Sequence, residues 1–245
     1  MQRSASRLSR VLACAAVPVM LVAAGCSSGS DSADKGSGSS GSGESSASAS
    51  ATPKPTPTKT VEAARFAKLP DVCKAVSAKT TASLVPKAKA KNGTAAQSSD
   101  VASRGGCSWN GLDDKGVKGS QYRWLDVSFY RYESDASLGS GQDRAAENFA
   151  KELAKVQGTQ GAKKLATAET AGVGDQASTV TYQLRKTDED FTYASVVART
   201  GNVVVLLSYN GAGYAGADAP SGKTISEGAV QAAKEAVAAV AAANK

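Results

Sequence analysis

Histidine is missing from this 245-residue chain, and aromatic residues make up only 5% of it. Histidine is the commonest general base near neutral pH and the commonest metal ligand, so its absence removes most catalytic and metal-binding arrangements. A hydrolytic centre would then need a pair of carboxylates, and no acidic residues in the sequence stand out for that role. We therefore predict a protein that is not an enzyme, with no catalytic residues and no metal or other cofactor.

A strong excess of one charge is also lacking. The chain has 29 Lys and Arg residues against 22 Asp and Glu residues, for a net charge of +7. Three of the basic residues (Arg3, Arg7 and Arg10) precede the expected cleavage site described below, which leaves 26 against 22. This excess is too small and too scattered to predict a nucleic acid partner.

The first 25 residues have the organisation of a signal peptide. A basic start is followed by an apolar run from Val11 to Ala24, which is too short to span a bilayer. The run ends in LVAAGC, which resembles a bacterial lipobox, although Ala23 stands where the commonest lipobox has leucine. The resemblance implies that Cys26 is lipidated and becomes the new N-terminus after cleavage. The alternative is an ordinary secretory signal in which Cys26 is incidental.

Residues 26–60 have the composition of a tether. The Ser/Gly-rich part has nothing to bury, and TPKPTPTKT favours an extended, polyproline-like chain. A flexible chain of this length spans roughly 30–35 Å. We therefore expect one globular domain, residues 61–245, held at the extracytoplasmic face of the cell membrane through the lipid on Cys26.

Cysteine is scarce as well, with four residues at positions 14, 26, 73 and 107. The stretch RGGCSWNG around Cys107 is similar to the local sequence of a papain-type nucleophile, but that chemistry needs a histidine to generate the thiolate. A zinc site needs about four Cys or His ligands, and only Cys73 and Cys107 remain in the foldable part. Outside the cytoplasm two such cysteines most simply pair, so we predict a Cys73–Cys107 disulfide beside Trp109.

Hydrophobic periodicity in residues 61–245 predicts an α+β fold, in which an antiparallel β-sheet packs with helices in the order α-β-β-α-β-β-β-α. Asp71 and Ser77 are the expected N-caps of two short initial helices, and Thr224 with Glu227 is the expected capping box of the last helix. A Gly201–Asn202 turn is predicted between the last two strands. The predicted elements are helices over 69–76 and 77–85, strands over 107–111 and 122–132, a helix over 143–158, strands over 178–186, 191–200 and 202–210, and a helix over 224–245.

The strand over 122–132 carries the candidate ligand surface. Its alternation places Leu125, Val127 and Phe129 on one face. The opposite face holds four large rings, which are Tyr122, Trp124, Tyr130 and Tyr132. Rings with a polar group suit sugars, peptides or amphipathic ligands. The alternative is that a helix or a loop covers these rings, which are then a second layer of the core.

Two glycine-rich stretches complete the set of candidates. GADAPSGKT, residues 216–224, lies between a strand and a helix, as a phosphate-binding loop does, but Gly216 is one residue too far from Gly222 for that motif. The longer segment 210–222 is either a mobile lid or an idle connection.

Several of these features occur together in this chain. They are a lipobox, a Ser/Gly/Pro tether, the stretches LPDVCKAVSAKTTASLV, GGCSW and GVGDQA, and a last strand that follows a GN turn and precedes a helix. The combination resembles a family of actinobacterial lipoproteins grouped as a domain of unknown function. The chain departs from the common PCALL-like start by the Asp-Val before Cys73. The resemblance implies an exported, lipid-anchored α+β domain with one Cys73–Cys107 disulfide, and it implies no established activity.

Three hypotheses for function follow. The first is a non-enzymatic binding or sensor-like module whose partner is a small ligand or a cell-wall component. The second is a structural partner of an envelope protein complex. The third is a cell-wall hydrolase, which would need the carboxylate pair that the sequence does not indicate.

Overall fold

The computed structural model describes residues 60–245, and the predicted signal peptide, Cys26 and the tether up to residue 59 lie outside the described residues. No helix within the described part is long and apolar enough to cross a bilayer. The helices are α1 (Ala78–Leu84), α2 (Gly141–Gln157) and α3 (Gly222–Ala243), and the strands are β1 (Thr94–Ala95), β2 (Arg104–Asp113), β3 (Ser120–Arg131), β4 (Lys163–Glu169), β5 (Gln176–Lys186), β6 (Glu189–Thr200) and β7 (Val203–Tyr214).

The strands form one antiparallel sheet in the order β1-β2-β3-β7-β6-β5-β4. The predicted α+β class is therefore confirmed. The strand β7 lies in the middle of the sheet, and its residues Val203, Val204 and Val205 are fully buried. A nearly continuous apolar run is typical of a strand that is covered on both faces, and the sheet has a helix on each face.

The long helix α3 packs on one face of the sheet. Its buried residues are mostly small, and they belong to the same large core cluster as Leu125, Val127 and Phe129. Val240 of α3 is fully buried, whereas Val230 and Val237 are partly buried at the margin of this core.

The helix α2 covers the other face. Its residues Ala145 and Phe149 form a second buried cluster with Val197 of β6 and Val204 of β7. Because neighbouring residues of a strand point to opposite faces, Val204 contacts this cluster while Val203 and Val205 contact the α3 side.

The short helix α1 is attached to α3 and β7. The side chain of Ser77 accepts a hydrogen bond from Thr80 N, which confirms Ser77 as its N-cap. The Tyr209 hydroxyl of β7 donates to Leu84 O at the other end of the helix, at 2.6 Å. The Tyr209 ring comes so close to α3 that a Cβ atom on Gly228 would lie 2.9 Å from its Cε1 atom.

Two predictions about helix starts are wrong. Residues 69–76 form turns rather than a helix, because the Asp71 carboxylate accepts from Cys73 N at 3.2 Å and so holds a local turn. The helix α3 begins at Gly222, because Ser221 accepts from Thr224 N at 3.1 Å. Ser221 thus supplies the capping oxygen expected of Thr224, one turn earlier.

The strands β1 and β4 were not predicted from the sequence. All seven residues of β4 are exposed, so no buried face marks it as a strand. It is an edge strand with a bulge between Lys163 and Ala166. The predicted strands over 178–186 and 191–200 left four residues between them, but Lys186 pairs with Glu189 and only Thr187 and Asp188 form the turn.

The predicted disulfide is confirmed. Cys73 and Cys107 are bonded, and their Cα atoms are 5.2 Å apart. Cys107 and Trp109 of β2 are almost completely buried, with 1% and 2% of their surface exposed. The bridge therefore attaches the turn region before α1 to the sheet.

Candidate functional site

The four predicted rings lie on the α2 face of the sheet, opposite Leu125, Val127 and Phe129, and all four are partly buried. They do not form one continuous surface. Tyr122 packs edge-to-face on Phe191, with 5.9 Å between the ring centres. At the other end, Tyr130 and Tyr132 pack against the α2 cluster.

Trp124 lies between these two ends. Its neighbours in register are Asn110 on β2 and Asn210 on β7, so its strand partners on this face are polar. Trp124 is partly buried, unlike Trp109, which is enclosed in the core.

The residues Tyr130 and Tyr132 line a polar cleft, which we call the arginine–tyrosine cleft. It consists of two adjoining hollows of about 520 and 260 Å³ that share Asp100, Arg104 and Tyr130. The segment 96–103 forms one wall, and the end of β3 with the start of α2 forms the other. Cavities of this size are in the range of small-ligand sites.

Strand pairing and backbone hydrogen bonds position the side chains of the cleft. Arg104 stands opposite Tyr130 in the β2–β3 register. The wall is held by Arg131 N, which donates to Ser103 O at 2.8 Å, and by the Arg131 side chain, which donates from Nε to Ala102 O at 3.1 Å. The cleft is therefore built on the sheet rather than on a free loop.

The charges in the cleft are unevenly paired. Arg131 is neutralised by Glu133, at 2.8 Å between Nη2 and Oε1. The guanidinium of Arg104 lies 5.9 Å from the ring centre of Tyr130, and that of Arg144 lies 5.8 Å from the ring centre of Tyr132. Neither Arg104 nor Arg144 has a carboxylate within 4.0 Å in the described part of the chain.

The phenol of Tyr132 stays neutral at physiological pH. Burial raises its pKa, although the positive charges of Arg104 and Arg144 oppose this shift. A neutral phenol both donates and accepts hydrogen bonds. Arg144 Nη1 donates to the backbone oxygen of Glu133 at 2.7 Å, whereas Arg104 has no such fixed partner among residues 60–245. The cleft thus combines two guanidinium groups that lack a carboxylate partner with two phenols, a set that suits a polar ligand with an anionic group.

One partly buried carboxylate on this face was not among the predicted site residues. Asp126 of β3 lies between Ser108 and Ser208 in register, and burial raises the pKa of its carboxyl while Ser128 lowers it. A charged residue in the middle of an alternating strand was the available indication. Its register neighbours are serines, so it does not form a carboxylate pair with either of them. Among residues 60–245, no group of three Cys, His, Asp or Glu side chains could hold a metal ion.

The segment 210–222 is largely structured. The strand β7 continues to Tyr214, and the remaining connection folds back on it, where Gln121 Nε2 donates to Asp218 O at 2.9 Å. Tyr214 pairs with Ser120 at the start of β3, whereas the cleft lies near the end of β3 at Tyr130. The connection is therefore at the opposite end of the strand from the cleft.

Comparison of the chain with protein-family models, curated proteins and solved structures gave no match.

Proposed function

We propose that this protein is a lipid-anchored, extracytoplasmic binding module, without enzymatic activity, whose arginine–tyrosine cleft takes a polar ligand with an anionic group. The observation that carries the proposal is the position of Arg104, unpaired and above the Tyr130 ring, at the centre of the cleft. An unpaired guanidinium beside a phenol can bind a carboxylate through two parallel hydrogen bonds while the ring contacts the ligand body.

The proposed location of the protein narrows the class of ligand. The lipobox-like LVAAGC and the Ser/Gly/Pro segment support a position on the outer face of the cell membrane, and the resemblance to actinobacterial lipoproteins supports the same position. Acidic sugars of the cell wall combine a carboxylate with a polar ring, which matches the donors in the cleft. An acidic cell-wall saccharide is therefore the ligand that we propose.

The alternative role as a structural partner lacks a comparable feature within residues 60–245. The exposed large hydrophobic residues of this part are five positions spread along the chain, which are Val101, Leu112, Val117, Leu138 and Leu165. Single exposed apolar residues are normal on protein surfaces, so they do not favour a docking face.

Calorimetric titration of the full chain with muramic-acid-containing saccharides tests the cleft. Neutral chitooligosaccharides serve as the comparison ligand. We expect binding of the acidic saccharides only, with affinity lowered about tenfold or more by Arg104→Gln, because one charge-assisted contact is lost. The matched control is Lys163→Gln, which removes the same charge from β4 at the other side of the sheet. Absence of binding, or an equal loss in the control, contradicts the proposal.

Metabolic labelling with an alkyne fatty acid tests the anchor in an actinobacterial host. We expect the label on the wild-type chain and its loss in Cys26→Ser, together with release of the protein from the membrane fraction. Unlabelled wild-type protein would show that Cys26 belongs to an ordinary secretory signal.

A further inference from the structure

A second concave site lies on the other side of β2, and we call it the Trp109 groove. It consists of two adjoining hollows of about 380 and 450 Å³ between α1 and residues 87–92. The hollows share four lining residues, which are Ala78, Thr81, Lys91 and Asn92. The groove shares none of its lining residues with the arginine–tyrosine cleft.

Apolar side chains line the body of the larger hollow. Ala78 and Ala82 stand one turn apart on α1, Val85 follows as the C-cap of the helix, and Ala88 lines the same hollow. The wall is held to the sheet, since Ala88 forms a bridge with Gly111 and the next residue donates its backbone N–H to Asn110 O at 2.9 Å. The hollow is thus a fixed apolar groove.

Trp109 belongs to the lining of the smaller hollow. Only 2% of this residue is exposed, and its Nε1 atom is buried without a hydrogen-bond partner in the described part of the chain. An indole N–H can only donate, and a buried donor without an acceptor is unfavourable. The wall of the smaller hollow therefore contains a buried hydrogen-bond donor without an acceptor.

The rim of the groove is positive. The ammonium groups of Lys87 and Lys91 have no carboxylate within 4.0 Å among the described residues. Lys74 is paired with Asp71 at 2.8 Å, so these two side chains cancel each other. The uncompensated charge next to the apolar hollow is that of the two lysines.

We propose that the Trp109 groove binds an alkyl carboxylate, with the hydrocarbon chain along α1 and the carboxylate near Lys91, where it accepts a hydrogen bond from Trp109 Nε1. Each part of this ligand corresponds to a feature of the groove. The hydrocarbon chain contacts the apolar wall, the lysines attract the carboxylate charge, and the indole N–H donates to a carboxylate oxygen. The site goes beyond the proposed function, because it does not depend on the arginine–tyrosine cleft or on the anchor.

NMR spectroscopy of the 15N-labelled full chain tests this proposal. The chain has two tryptophans, so its spectrum contains two indole N–H signals, which the variant Trp124→Phe assigns. Titration with sodium octanoate below its micelle concentration should shift the Trp109 signal saturably. Octanol lacks the charge and butanoate lacks the long chain, so each should shift the signal at least about tenfold more weakly.

Matched variants locate the binding site. Ala82→Glu adds a negative charge inside the groove and should abolish the shift, whereas Ser83→Glu, one position along α1 and outside both hollows, should leave it unchanged. Lys91→Gln should weaken octanoate binding several-fold and Lys89→Gln should not, since Lys89 lines neither hollow. An unshifted Trp109 signal, an equal response to octanol, or equal effects within either pair of variants overturns the proposal.

Discussion

Gly93 packs directly against the indole of Trp109. A Cβ atom on Gly93 would lie 2.7 Å from Trp109 Cε2 and even closer to Cys107 Sγ. Gly93 also has a φ angle of +76°, which side chains rarely permit. The backbone of this one glycine therefore closes the segment after α1 over both the disulfide and the buried ring.

Gly93→Ala should destabilise the domain by about 2–4 kcal/mol, because it combines a strained φ angle with overpacking of a buried ring. Urea unfolding provides the measurement. The matched control is Gly172→Ala, which has a similar φ angle of +74° but no atom within 4 Å of the added Cβ. That variant should lose only about 1 kcal/mol. Equal losses in the two variants would show that the close approach to Trp109 adds nothing to the change in the free energy of unfolding.

Removing the disulfide should lower the free energy of unfolding by about 3.8 kcal/mol on the chain-entropy model, since the bridge joins residues 34 positions apart. The suitable variant is Cys73→Ala combined with Cys107→Ala, in which no buried thiol remains. Urea unfolding of the oxidised wild type and the double variant gives the difference. Residues 61–245 contain no other cysteine, so two free thiols in this part of the oxidised, unfolded wild type would contradict the pairing.

Asp126→Asn should stabilise the domain at neutral pH. Burial raises the pKa of Asp126 above its ordinary value of 3.8, so ionisation of this carboxyl is less favourable in the folded state than in the unfolded state. The wild type therefore loses stability as pH rises from 3.8 through the folded pKa, and the variant does not. Unfolding curves between pH 3 and pH 7 measure the difference, which should vanish at the acidic end. If the variant is less stable than the wild type at pH 7, the ionised carboxylate of Asp126 makes a favourable contact in the folded state, which contradicts this prediction.

Substitutions in the β5–β6 turn should stabilise the domain. Thr187 and Asp188 both have positive φ angles, of 48° and 64°, as a type I′ turn requires, but a β-branched threonine is unfavourable there. Thr187→Asn combined with Asp188→Gly should raise the free energy of unfolding by about 1 kcal/mol. The control is Gly201→Asn combined with Asn202→Gly, which places the same Asn-Gly pair in the β6–β7 turn. This variant should destabilise the domain, because Asn202 is buried and donates from Nδ2 to Phe66 O and Tyr132 O.

Much of the fold could be predicted because its strongest patterns are local. The alternation around Leu125 and the apolar run at Val203 each indicate a strand, and the export pattern together with the cysteine count indicates the disulfide. The strand β4 could not be predicted, since a strand with no buried residue has no hydrophobic periodicity. The predicted helix over 69–76 failed for a different reason. An Asp side chain can cap a helix or hold a turn, and the side chain of Asp71 holds a turn.

The sites depend on pairings between distant parts of the chain. The sequence indicated Tyr130 and Tyr132, but it could not show that the β2–β3 register places Arg104 beside Tyr130. Trp109 was predicted as a core ring next to the bridge, and its burial agrees with this. Whether its N–H finds an acceptor depends on side-chain positions, which no periodicity reports.

The exposed strand β4 is an edge of the sheet that carries protections against pairing with another copy of this protein. An open sheet edge offers unpaired backbone groups to any neighbouring strand, and bulges and lysines are common protections against such pairing. Here Lys163 and Lys164 stand at the start of the edge and the ladder is interrupted beside them. Two copies approaching edge to edge in antiparallel register would each meet a broken ladder, which discourages sheet extension and aggregation at high local concentration.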